Sequence, residues 1–403
     1  MGEGRVKVRT VTSLVSLSRE IVQDKPKLVK AIEECVRNNR NMEAKLVERG
    51  FEVQSLRIST NSFEDYMTID NEEKFAQDLD LIKTTVSQCG ATFFNFGPAR
   101  SETGLLRIPS LLESMDLAFA NCDLLPSQSL DKIDLVWMGK VAACCSKLAD
   151  GGSNNFRFCA FANAGHGIPF FPVSYHESGS PPSFSIALEN AQLVREIFSH
   201  TRSGDASTLI QTCSHALTLE LDTICKRVEE VALAVEQEGG FKYLGIDTSI
   251  NPALSQDGSV AYAFESLLGK EFRFGGAGTL GVARALTSAV KDVQVKRVGY
   301  CGLMLPILED LGLAERTNEG RITVQGLLAW SSVCGVGLDT VPVEGKSSEE
   351  EIKHLYLDIV SMAHRLNKPL SCRILPMRGL KQGDIAAFPG NPYLCSCAVL
   401  PIN

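Results

Sequence analysis

Long apolar runs are missing from this 403-residue chain: no stretch of about 18 residues is apolar throughout without a charge, which excludes a membrane-spanning helix. Aromatic residues are sparse at 7%, with only two Trp, and no basic run is interleaved with them. With 40 Lys plus Arg against 48 Asp plus Glu, the net charge of −8 also speaks against a nucleic-acid partner. The opening MGEGRVKVRT has no apolar core of a signal peptide, and Val6 breaks the myristoylation pattern that begins at Gly2. A cytoplasmic location is the expectation. Cysteine is plentiful, 13 in all, but pattern is lacking: the number is odd and there is no CxxC pair with a second pair or histidines to complete a zinc set. Reduced, mostly buried thiols are therefore expected, including the adjacent Cys144-Cys145 on a helical stretch and Cys395 with Cys397 on a terminal strand. No repeat, low-complexity tract or Pro/Ser-rich linker divides the chain, which points to one large domain over 1–403.

What is present is an α/β pattern, with 44% hydrophobic and 22% charged residues and a mean hydropathy of +0.02. Ten β-branched or aromatic runs predict strands: Val8–Ser16, Glu52–Thr60, Ala91–Gly97, Phe156–Ala162, Ser183–Leu188, Tyr243–Ser249, Val295–Gly302, Ser332–Val336, Leu370–Pro376 and Cys395–Pro401. Helical segments lie between them. Ser110 reads as the cap of a helix over LLESMDLAFANC, and a long helix is expected after Asp205, from about Ala206 to Glu238, closed by Gly239-Gly240.

Chemistry-bearing residues concentrate in a few punctuated segments. The loop His166–Pro182 holds two of the six histidines, and His176 stands between Tyr175 and Glu177, a setting for a general acid or base or for an ordinary hydrogen-bonded histidine. Asp247 ends an apolar strand, where a carboxylate can hold a ligand or a cation or simply cap the loop. Gly275, Gly276 and Gly278 precede Thr279 and a helix, so backbone amides there can bind an anion or merely make a tight turn; neither nucleotide-binding spacing is present. Glu309-Asp310 are placed in the early turns of a helix following Val298–Gly302, and Arg57 is placed near a strand's carboxyl end, able to clamp a carboxylate.

The ordered blocks VRTVTSLVSL, LRIST, FFNFGPARSE, FANA, GIDTSINPALSQDGSVA, GGAGTLGVARAL, GYCGLMLPILEDLGL, SSVCGVGLDTVPVEG and RILPMRGLKQGDIAAFPGNPYLCSCAVLPIN resemble domain of unknown function 711, also called uncharacterised protein family 0210. The resemblance covers nearly the whole chain and is most specific in its C-terminal third. It implies a ten-stranded α/β barrel of the pyruvate formate-lyase-like type, and it marks Arg57, Asn163, His176, Asp247, Glu309, Asp310, Asp339 and Asp384 as polar motif positions. Arg297-Val298-Gly299-Tyr300 is similar to that superfamily's radical-glycine loop. It lacks the residue expected between Val and Gly, and fold does not carry mechanism, so radical chemistry is set aside. The expected function is a non-radical acid-base lyase, isomerase or cyclase acting on a small polar or carbonyl metabolite. His176, Asp247 and Glu309 would be catalytic, and Arg57, Asn163, Tyr175, Gly276, Gly278 and Thr279 would bind substrate. The alternative is a non-catalytic metabolite-binding or regulatory protein of the same fold. No cofactor is identifiable, no metal site is assigned, and a homo-oligomer is expected.

Overall fold

The computed structural model describes residues 5–126, 132–200, 208–269 and 271–403. Among them, nine runs become strands of one sheet: β1 Lys7–Val15, β2 Leu56–Thr60, β3 Phe93–Ala99, β4 Ala118–Asp123, β5 Phe158–Ala162, β6 Ser183–Glu189, β7 Lys242–Asp247, β8 Gly337–Glu344 and β9 Leu370–Met377. Their order is β7-β6-β1-β2-β3-β4-β5-β9-β8. Strands β1 to β5 are parallel neighbours in sequence order, as crossovers through helices produce. The pairs β6–β7 and β8–β9 are each parallel within themselves and meet that block antiparallel, β6 on β1 and β9 on β5. A separate ribbon pairs Ile385–Ala386 with Cys397–Ala398.

A closed barrel of ten strands was expected; the sheet has nine. The segment expected as a strand at Val295–Gly302 makes one isolated parallel bridge, Arg297 to Ile246, and the residues just after it make two more, Leu303 to Ile250 and Pro306 to Asp339. The cause is local. The amides of Tyr300 and Cys301 donate to the carboxylate of Asp247, at 2.8 and 3.0 Å, instead of to a neighbouring strand.

Other expectations shift for equally local reasons. The helix assigned to Ser110 begins earlier: Ser101 caps Glu102–Glu113, accepting from the Gly104 amide, and LAFANC supplies β4 instead of helix. Pro109 lies inside that helix and cannot donate to the carbonyl of Leu105, which instead accepts the Cys144 thiol at 3.7 Å. Residues 332–336 form turns after the helix Val324–Ser331, so the strand begins only at Gly337. Of Cys395–Pro401, Cys397–Ala398 form the ribbon and Leu400 bridges to Val343. The long helix runs Leu209–Glu238 and ends at Gly239, whose φ of 106° suits glycine; Asp205 to Ser207 fall outside the described residues.

The main core lies between the sheet and its outer helices. The helix Lys25–Glu48, capped by Asp24 accepting from Lys27, turns Leu28, Ile32, Cys35, Met42 and Leu46 inward. Each such aliphatic side chain contributes about 1.5–3 kcal/mol by leaving water. A second, smaller core sits on the other face of the sheet, where Cys159, Phe161, Ile168, Phe170, Val173, Tyr300 and Met304 pack together. The segment 163–182 builds it. This loop leaves β5 and doubles back through Gly167–Tyr175 and Ser174–Phe170 backbone bonds. Strand side chains hold its carbonyls: Thr12 donates to Pro169, and Asn95 and Asn121 both donate to Pro172. Among the described residues no helix is long and apolar enough to cross a membrane.

Candidate functional site

Where the tip of that inserted loop meets the sheet there is a cavity of about 160 Å³. Its wall includes Arg9 of β1, Arg57 of β2, Phe93 of β3, Phe119 of β4, Cys159 of β5, Asp339 of β8 and Ser371 and Arg373 of β9. Phe170 to Val173 close it from the loop, and Tyr300, Glu309 and Tyr393 from irregular segments. For β2 to β5 this is the amino end of the strands, not the carboxyl end expected for Arg57. For β6 and β7, which run the other way, the same level is the carboxyl end: Thr10 pairs with Ala187, and Ala187 with Asp247. The reversal of direction between the two strand sets therefore puts the amino ends of β2 to β5 level with the carboxyl ends of β6 and β7.

The charges are unevenly paired. Arg373, buried, donates Nη2 to Glu309 Oε1 and Nε to Asp339 Oδ1, both at 2.6 Å. Arg9 is shared, 3.5 Å from Glu189 and 3.7 Å from Glu309, and also donates to Gln54 at 3.0 Å. Arg57 is 9% exposed, and among the described residues no carboxylate forms an ion pair with it. Its Nε donates to Ser55 Oγ at 3.1 Å, and its guanidinium stands over the rings of Phe93 and Phe171 at 5.3 and 5.2 Å. Burial, with Arg9 and Arg373 nearby, pulls its pKa down to about 9, and Glu309 only partly opposes this. Burial raises the Glu309 carboxyl above its usual range, against the pull of Arg373. Burial likewise keeps Tyr300 and Cys159 in their neutral forms; the Tyr300 hydroxyl donates to Ser371 Oγ at 3.0 Å.

Of the residues singled out in the sequence, Arg57 and Glu309 line this cavity, together with the motif position Asp339. Asp247 stands behind it. Fully buried, it accepts four hydrogen bonds, from the Ser249 amide and hydroxyl and the Tyr300 and Cys301 amides, so it fixes the turn that presents Tyr300. His176 and Tyr175 lie at the other end of the inserted loop. The His176 amide donates to the carbonyl of Thr60, the last residue of β2, roughly 10 Å along the strand from Arg57. The buried ring of His176 bonds through Nε2 to the Pro181 carbonyl at 3.0 Å, Nδ1 has no partner, and burial lowers its pKa. Tyr175 stacks on Phe161 and donates to the Ala164 carbonyl. Asn163, at φ 53°, faces Asn367 across 3.4 Å. Gly276, Gly278 and Thr279 make the turn before the helix Thr279–Lys291, where the Thr279 hydroxyl accepts from the Gly275 amide and donates to the Gly276 carbonyl. Asp310 caps the helix Leu311–Asn318 and binds Ser259 and Val260. Cys144 and Cys145 are buried in the helix Leu135–Lys147, the latter accepting from Asn155 at 3.5 Å. Among the described residues no cluster of three or more His, Cys, Asp or Glu is placed to hold a metal ion.

Sequence reasoning missed Arg9, Arg373 and the aromatic wall. The signal was there: Arg373 is the lone cation of the apolar strand LSCRILPM, and Arg9 lies two residues after Lys7 in the otherwise uncharged KVRTVTSLV.

Comparison with known proteins gives a family but no activity. The family model described as "Uncharacterised ACR (DUF711)" matches residues 1–391. The chain is 25% identical over 413 residues to a UPF0210 protein of Acetivibrio thermocellus, covering 96% of this chain and 89% of that one. It is 26% identical over 424 residues to one of Leuconostoc mesenteroides, covering 99% and 92%. A UPF0210 protein of Pyrobaculum aerophilum is 30% identical over 233 residues, 57% of this chain and 51% of that one, so the chain spans about half the length of that relative. The chain belongs to the DUF711 (UPF0210) family.

Proposed function

We propose that the protein is a small-molecule enzyme whose site is the cavity at the tip of the inserted loop, and that it carries out acid-base chemistry on a small anionic metabolite, as a lyase, isomerase or cyclase. The observation that carries this reading is Arg57: a buried guanidinium without a carboxylate partner, in a cavity that also holds the paired Glu309, Asp339 and Arg373. A charge held in that way is stabilised by an incoming anion. Glu309, its carboxyl raised above the ordinary range by burial, is the group that takes and returns the proton. Tyr300 stays protonated and serves as a fixed donor, with Asp247 holding its backbone. His176 supports the loop from its far end.

Incubating the protein with a cell metabolite extract and following both retained and transformed compounds by mass spectrometry tests this. A compound converted by the wild type and not by Glu309→Gln supports it; conversion by both variants alike refutes the role of Glu309. A second reading, a non-catalytic metabolite-binding or regulatory protein, has one observation in its favour: both cavity carboxylates are already paired with Arg373. Retention without conversion would favour it.

For the architecture, we read the sheet as a barrel of the pyruvate formate-lyase-like type with its tenth strand reduced to bridges. Segment 297–306 touches both edge strands, β7 through Ile246 and β8 through Asp339, which supports that reading.

A further inference from the structure

We infer that the cavity's ligand is a monocarboxylate with a flat apolar body of about ring size, an inference that rests on the anion-site reading above. Charge sets the first half. Three guanidiniums and two carboxylates line the cavity, but Arg373 is spent on Glu309 and Asp339, and Arg9 is divided between Glu309 and Glu189 outside the wall. One guanidinium, Arg57, is left for the ligand. A second negative charge on the ligand would meet Glu309 or Asp339 in a low-dielectric space, which is repulsive.

Geometry narrows the group that Arg57 binds. The guanidinium carbon stands over Phe93 and Phe171, and Nε is taken by Ser55, so the two Nη groups are what remain for a ligand. A planar carboxylate meets them with two parallel hydrogen bonds, the pairing arginine favours.

The wall sets the other half. Phe93, Phe119, Phe156, Phe171 and Tyr393 form a chain of ring contacts with centroids 5.1 to 6.5 Å apart, some edge-on and some stacked. Arg373 adds a guanidinium over Phe156 at 5.0 Å. Such a wall offers ring faces and edges to a flat apolar body. The cavity of about 160 Å³ admits a molecule of a few to a dozen heavy atoms, not a nucleotide.

Calorimetry on the full chain with benzoate, acetate, succinate, inorganic phosphate and benzamide tests this directly. Benzoate is expected to bind at least about tenfold tighter than acetate and than its neutral isostere benzamide, with succinate and phosphate no tighter than acetate. Arg57→Met is expected to abolish benzoate binding, and Arg57→Lys, which keeps the charge but not the fork, to weaken it about tenfold or more. Acetate equal to benzoate overturns the apolar body and leaves the anion site standing. Succinate or phosphate binding tightest overturns the single charge. Benzamide equal to benzoate, either Arg57 variant binding like wild type, or no anion binding at all overturns the anion site itself.

Discussion

Removing the cation that two cavity carboxylates share should cost the fold heavily, and in a way that pH reveals. In Arg373→Met, Glu309 and Asp339, whose side chains are 15% and 13% exposed, lose 2.6 Å partners while their desolvation stays. Breaking a buried pair in this manner costs about 3–5 kcal/mol. Arg9, 3.7 Å from Glu309, recovers only part of it. The direction with pH follows from linkage. A carboxyl whose folded pKa lies above its unfolded value gives the folded chain relative stability as pH falls, because the folded state then binds the proton more readily. Burial already raises Glu309, and removing the cation raises it further. Urea unfolding midpoints for wild type and variant should therefore lie far apart at about pH 7.5 and draw together at about pH 5. The triple variant Arg373→Met, Glu309→Gln, Asp339→Asn should recover most of the loss, since neutral side chains of the same shape carry no charge to strand. A loss under about 1 kcal/mol, or one that is flat with pH, would refute the assignment of Arg373 as the keystone of the site.

Other expectations follow from neighbouring contacts. Asp247→Asn turns an acceptor into a donor facing the Tyr300 or Cys301 amide, and should lower stability by about 1–3 kcal/mol while also weakening ligand binding in the cavity; thermal unfolding and calorimetry read the two effects separately. Gly299→Ala, at φ 92° with its Cβ 2.2 Å from Asp247 Oδ2, should destabilise well beyond Gly320→Ala, at φ 72° with open space around it, where only the left-handed backbone cost of about 1–2 kcal/mol applies. Burial lowers the pKa of His176, so the unfolded chain binds a proton that the folded one refuses. Its contribution is full above the ordinary histidine pKa and is lost as pH falls below it. The wild-type unfolding midpoint should drop more between about pH 7 and pH 5 than that of His176→Gln, and equal drops would rule the residue out as the cause.

The sequence carried the strands that are continuous apolar runs, such as β1, β5, β6 and β9, because burial on both faces demands them. It concealed β4, since only a four-residue turn, 114–117, separates that strand from the apolar helix before it, and Ser110, read there as a cap, lies inside that helix. It also concealed the interruption at Tyr300 and Cys301, where a side chain 53 residues away captures backbone amides that alternation alone assigns to a ladder. Within the site, Arg57 and Glu309 were legible as residue types but not as neighbours, because their proximity depends on the antiparallel junctions of the two strand sets. The loop His166–Pro182 was legible as a punctuated loop between two strands. Which end of it meets the cavity was not, because that depends on Thr12, Asn95 and Asn121, each on a different strand.

The inserted loop also orders events in time. Thr12 and Pro169 are 157 residues apart, and Asn95 and Pro172 are 77 apart, so the loop's anchoring bonds form only between segments already brought together by the sheet. Contacts of such separation are slow to close and come late in folding. The cavity, whose floor is the loop tip, is therefore completed near the end of assembly. A chain emerging from the ribosome, or one partly opened by heat, can keep most of its strands and still have no place for a ligand. On the ligand-binding reading proposed above, occupancy would mark finished molecules, and a cell that supplied the ligand would preserve those copies selectively from proteolysis.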